Sequence, residues 1–103
     1  VACSATLETS AEGIWAAGDA CEYDSVVHRR RVRIEHWEVA RAQGAAVAGY
    51  LQGKREPYDE VPYFWSDLVD WCTLEYVGPA ERWLRHRVLV VGGPRRVVLD
   101  RPV

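Results

Sequence analysis

A mixed α+β architecture follows from three stretches of this 103-residue chain. A short apolar run, Ile14 to Ala17, breaks off at Gly18-Asp19 and has the length and small residues of a buried strand. From Glu35 or His36 to about Leu51 the pattern turns helical: Trp37, Ala40, Gly44, Val47 and Leu51 recur at spacings of three and four, marking one apolar face. Beyond Pro57 come runs that favour strands, and the last two flank Gly92-Gly93-Pro94, a hairpin connection.

Taken in order, residues 1–20 read as short strands around a turn at Glu8 to Gly13. Cys21 to Val32 is a polar excursion, a hairpin or loop carrying Tyr23-Asp24-Ser25 and the arginines. In the helix, Ala42, Ala45, Ala46 and Ala48 supply propensity and thin flanks. Gly44 and Gly49 each cost about 1 kcal/mol relative to alanine, which close packing would offset. Gly53 is placed to end the helix in a left-handed conformation. Lys54 to Asp59 is a charged connector containing Pro57, the boundary expected between residues 1–56 and 57–103. After it, Cys72 to Val77, Val88 to Val91 and Val97 to Leu99 read as strands.

Composition narrows the function classes. Hydrophobic residues at 49% and charged residues at 27% describe an ordinary globular chain. A net charge of −2 leaves no footprint for nucleic acid or an anionic membrane. Arg29-Arg30-Arg31 and Arg33 are flanked by Glu22, Asp24, Glu35 and Glu38, and read as a solvated loop or strand edge rather than a dedicated anion site. No apolar run approaches the ~18 residues that cross a bilayer. Cys3, Cys21 and Cys72 contain no Cys-x-x-Cys pair, against a disulfide framework, a zinc site or a redox dithiol. The expected setting is cytoplasmic and reduced. His28 and His86 have no partner at ligand spacing, so no metal site is expected.

Candidate chemistry gathers at three places. Asp19 lies at the carboxyl end of the expected strand, where open α/β sheets bind ligands, and Gly18 leaves room for a ligand chain. An ionised carboxylate there accepts charge-assisted hydrogen bonds from hydroxyls; the bland alternative is a turn aspartate. Glu35-His36-Trp37 opens the helix, and free N–H groups at a helix start favour negative charge. Taken alone, His36 is a surface or capping histidine. Tyr63-Phe64-Trp65 is an aromatic cluster ahead of Ser66-Asp67, and packing with Ser66 or Asp67 capping a short helix is its plain reading. Trp71 and Trp83 read as core or interface packing.

The string Thr9-Ser10-Ala11-Glu12-Gly13-Ile14-Trp15-Ala16-Ala17-Gly18-Asp19 resembles the second FAD-binding motif of the flavin-dependent pyridine nucleotide oxidoreductases. With Arg33-Ile34-Glu35-His36-Trp37 and Val61-Pro62-Tyr63-Phe64-Trp65-Ser66-Asp67 in that order, it is similar to their ferredoxin reductase and apoptosis-inducing-factor branch over roughly residues 1–83. The resemblance implies that Asp19 holds the ribityl chain of FAD. It also implies that the Glu35–His36 backbone contacts the pyrimidine side of the flavin, and that Trp65 lies near the isoalloxazine ring, with Glu75 towards the nicotinamide.

No Gly-x-Gly-x-x-Gly opens a helix here, so the resemblance implies the carboxyl-terminal part of a larger α/β flavoprotein. Residues 1–56 would be the closing strand and helix of an FAD-binding domain, and 57–103 part of a small antiparallel-strand domain. The first FAD motif and the NAD(P)H motif would lie in a missing amino-terminal part. The implied activity is hydride transfer from NAD(P)H to FAD, then single electrons to a ferredoxin-type iron-sulfur acceptor. The alternatives are a non-catalytic assembly module, or a flavin reductase or oxidase acting on small acceptors. The likeness fades after Trp83, where Leu84 to Val103 is rich in arginine and valine.

Overall fold

A computed structural model describes residues 1–68, 72–77, 83–89 and 96–102. The chain forms two compact units, Val1–Val61 and Pro62–Val103. The fold is mixed α+β, with one helix and small sheets.

In the first unit, β1 (Ala2–Cys3), β2 (Glu22–Ser25) and β3 (Arg30–Arg33) form a sheet in that order. β1 runs parallel to β2, pairing Cys3 with Tyr23. Of the hairpin or loop expected between Cys21 and Val32, β2 and β3 form the hairpin, with Tyr23 opposite Val32 and Asp24 opposite Arg31. It is no polar excursion, however. Cys21, Tyr23, Ser25 and Val32 are buried, whereas Glu22, Asp24, Arg31 and Arg33 face solvent, the period of a one-sided sheet. Alternation hides behind charged neighbours here, because every second residue carries the polarity.

Helix α1 (Trp37–Leu51) matches the expected element. His36 is its cap: its backbone is extended and its Nδ1 accepts the Glu38 N–H at 3.2 Å. This satisfies one of the orphan donors of the first turn. At the other end Gly53 has φ +99°. The Gly53 N–H donates to the Tyr50 carbonyl at 2.9 Å and the Lys54 N–H to that of Gly49 at 3.1 Å, the paired closure that left-handed glycine permits.

The buried side of α1 corrects the sequence reading. Val39, Ala42, Gln43 and Tyr50 are buried, while Trp37, Gly44 and Leu51 are exposed. Small residues line both sides of this helix, so its periodicity marks two candidate faces. With Cys3, Leu7, Cys21, Tyr23, Val32, Ile34 and Tyr58, the buried helix residues make the core of the unit. Tyr23 and Tyr58 meet edge to face, ring centroids 5.5 Å apart.

A second correction concerns Ile14 to Ala17. Its backbone pairs across to the Leu7–Thr9 segment, through Thr9 N–H to the Ile14 carbonyl at 2.8 Å and Ala16 N–H to that of Leu7 at 3.0 Å, and the Ile14 N–H closes the turn between on the Ala11 carbonyl at 3.2 Å. Among the described residues its one ladder element is a Glu8–Trp15 bridge, and Ile14 is exposed. The run is one arm of a narrow hairpin, because it has pairing on one side only.

In the second unit β4 (Tyr63–Leu68) and β5 (Cys72–Val77) pair antiparallel, as do β6 (Trp83–Leu89) and β7 (Arg96–Pro102). Ser66 and Asp67 therefore lie in a strand rather than capping a short helix. The Thr73 hydroxyl donates to the Asp67 carboxylate at 2.9 Å, a bond between facing residues. The turn expected at Gly92-Gly93-Pro94 and the residue Trp71 lie outside the described residues, as do the side chains of Trp83 and His86.

Candidate functional site

The Gly18-Asp19 turn is built by its neighbours. Ala17 is extended, and Gly18 then takes φ +74°, which L side chains rarely adopt. A short 3-10 turn, Gly18–Ala20, follows and closes with the Cys21 N–H on the Gly18 carbonyl at 2.9 Å. Gly18 is buried and Asp19 exposed. Among the described residues, the Asp19 carboxylate has no hydrogen-bond or ion-pair partner.

Two contacts seat this turn on α1. A Cβ on Gly18 would lie 3.3 Å from the Cβ of Ala40, so glycine's bareness allows the close approach. The Gly18 N–H also donates to Gln43 Oε1 at 2.8 Å, a buried bond. Ala40 itself donates to the His36 carbonyl at 3.0 Å, so the turn rests on the first turn of the helix. Gly18 and the His36 cap are thus brought together by one helical turn. Sequence reasoning missed Gln43, a single amide between Ala42 and Gly44 on an otherwise small-residue helix.

The charges around the helix start are paired. Glu35 is exposed and holds Arg33 at 2.7 Å. Glu38 accepts from Arg41, which draws its carboxyl below the usual range. His36 accepts at Nδ1, which places its hydrogen on Nε2. The expected basic run is likewise engaged at Arg31, whose guanidinium meets the Asp24 carboxylate in two bonds of 3.0 and 3.1 Å.

In the second unit, Trp65 stands directly opposite Glu75 in the β4–β5 ladder. Direct partners project to the same side of a sheet, so these two expected residues share one face. Trp65 remains 41% exposed despite its size.

The deeper core holds polar groups of its own. Burial pushes the Tyr23 hydroxyl up, with Ser25 and Gln43 beside it partly opposing. Burial, with Cys3 next to it, pushes the Cys21 thiol up to about 12. Cys3 and Cys21 are both free thiols. Two cavities of the first unit, about 360 and 340 Å³, are lined elsewhere, around Tyr50 and Lys54. Among the described residues no cluster of His, Cys, Asp or Glu has the makings of a metal site, and no helix is long and apolar enough to cross a membrane. The arrangement offers a carboxylate, unpaired among the described residues, on a turn beside a capped helix start, chemistry that can accept from ligand hydroxyls.

No protein-family model matches the sequence. The ferredoxin–NAD(+) reductase component of the anthranilate 1,2-dioxygenase system of Burkholderia cepacia is 39% identical over 74 residues, covering 72% of this chain and 18% of that protein. The crystal structure of a ferredoxin reductase for the CYP199A2 system of Rhodopseudomonas palustris matches with TM-score 0.79 and 32% identity, over 88% of this chain and 22% of that one. The reductase in a covalent putidaredoxin reductase–putidaredoxin complex matches with TM-score 0.72 and 35% identity, over the same shares, 88% and 22%. The chain therefore spans about one fifth of the length of these relatives.

Proposed function

This chain is homologous to one portion of the ferredoxin reductases and apoptosis-inducing-factor-like FAD oxidoreductases, and we propose that it supplies that portion of an NAD(P)H-dependent flavoprotein. FAD, when bound, supplies the acceptor for hydride from NAD(P)H and the donor of single electrons to an iron-sulfur protein. The electron acceptor is a ferredoxin-type protein, a reading supported by the names of the relatives.

The residues of the first unit fit such a group. The bare Gly18 lets the turn pack on Ala40, and the adjacent Asp19 carboxylate is exposed and unpaired among the described residues. Asp19 accepts hydrogen bonds from the ribityl hydroxyls. The backbone at Glu35–His36 faces the pyrimidine side, where the partial positive charge of the helix start favours the negative charge of the reduced ring. His36 serves as a cap and does not donate a proton. By resemblance to the family, Trp65 would limit solvent access to the ring; Glu75 is its partner in the β4–β5 ladder.

The observation that carries this reading is the free Asp19 carboxylate on a turn seated against the start of α1. Asp19→Ala in the full-length protein removes a charge-assisted bond worth roughly 1.5–3 kcal/mol, about ten- to hundredfold in FAD affinity. Titration of the apoprotein with FAD measures it. Unchanged affinity would remove the central assignment.

A further inference from the structure

We propose that Gln43 is the positioning residue that aims Asp19 at its ligand. This rests on the reading of Asp19 given above. Gln43 is 1% exposed, in the middle of α1. Its Oε1 accepts the Gly18 N–H at 2.8 Å, but its Nε2 is buried with no hydrogen-bond partner among the described residues. The Tyr23 hydroxyl is buried beside the Gln43 amide, with Ser25 on hand as well.

Net of desolvation, one buried hydrogen bond returns only a modest stability. What the amide does achieve is geometric. Gly18 has access to both signs of φ, and freed from restraint it would sample them. The Oε1 bond fixes the peptide plane entering Gly18, while Ala40 presses on its Cα side. Together they hold φ at +74°, and the direction in which the next residue, Asp19, leaves the turn follows from that angle. Gln43 touches no ligand itself; it acts through the backbone of Gly18.

The test is a double-mutant cycle read as FAD dissociation constants of the full-length protein, with the visible circular dichroism of the bound flavin as a second signal. Gln43→Met keeps the volume and removes the acceptor. Gln43→Glu keeps an oxygen at the same reach. Where Gln43→Met does not fold, Gln43→Asn replaces it, because its amide falls one methylene short. The expected result is about tenfold weaker FAD binding in Gln43→Met with a changed flavin circular dichroism, restored in Gln43→Glu. In the Asp19→Ala background the same change should have no further effect on affinity. An equal loss in both backgrounds would show a merely structural role and overturn the proposal, as would no loss at all. If Asp19→Ala alone leaves affinity intact, the assignment of Asp19 fails instead, and the two failures are told apart.

Discussion

Replacing Gly18 by alanine tests whether the turn is pressed onto α1 as described. Two costs add. An L residue at φ +74° loses about 1–2 kcal/mol, of which reduced freedom of the unfolded chain returns about 0.4–1. The new Cβ would sit 3.3 Å from that of Ala40. Ala40 is anchored on a helix backbone and cannot swing aside, so overpacking adds about 1–2 kcal/mol. The total is roughly 1–3.5 kcal/mol, or about fivefold to four-hundredfold faster hydrogen exchange at amide 18 where exchange follows the opening equilibrium. The control is Ala40→Gly, which alone costs about 1 kcal/mol of helix propensity but removes the atom that the new methyl meets. In the double variant the overpacking cost should vanish, giving a coupling of about 1–2 kcal/mol. Strict additivity of the two changes would refute the close approach of the turn to the helix.

Three further outcomes are expected. The Cys21 thiol keeps its proton in the fold up to about pH 12 but releases it near 9 once unfolded, so stability of the first unit is full below pH 9 and falls as pH rises above it. Urea midpoints between pH 7 and 11 measure this, and Cys21→Ala should flatten the slope. Trp37 is 65% exposed at the helix start, so Trp37→Glu should fold and lower the flavin potential by about 10–20 mV in spectroelectrochemical titration; a raised potential would reverse the proposed orientation. The 103-residue chain alone should neither hold FAD firmly nor oxidise NAD(P)H, and its exposed Ile14, Trp37 and Leu51 should make it associate in sedimentation experiments; turnover by a monomer would contradict the fragment reading.

The helix was legible because its signals are local. His36 caps one end, Gly53 closes the other, and both act within one turn of the residues they satisfy. β5 was legible from its composition, whereas the β2–β3 segment could be read only as a hairpin or loop, because charged neighbours hid its alternation. What escaped depends on partners distant in sequence. Which side of α1 is buried is decided by what covers it, and Trp37, Gly44 and Leu51 keep the helical period as faithfully as Val39, Ala42 and Tyr50. The Ile14–Ala17 run has strand composition, but exposure of Ile14 reflects how many neighbours pair with it. Gln43 could be noticed as a lone amide among small residues, but its bond to Gly18 spans 25 positions and leaves no local pattern.

The charge arrangement at the start of α1 bears on what that end of the helix can attract. An acidic residue in the first turn ordinarily satisfies the helix dipole from within the protein. Here Glu35 is matched by Arg33 and Glu38 by Arg41, so these two pairs together add no net charge, and the nearby Asp19 carboxylate is left unpaired among the described residues. The His36 imidazole, a neutral acceptor while Nδ1 is unprotonated, takes the Glu38 N–H without bringing negative charge to it. The first turn is therefore capped in its hydrogen bonding, and neither ion pair neutralises its field. Such a helix end retains its attraction for an anionic group from outside, and the seated Gly18 turn places the Asp19 hydroxyl acceptor within one helical turn of the cap. A ligand carrying hydroxyls on a chain and developing negative charge at one ring edge satisfies both features at once, whereas a purely assembly-forming surface would require neither.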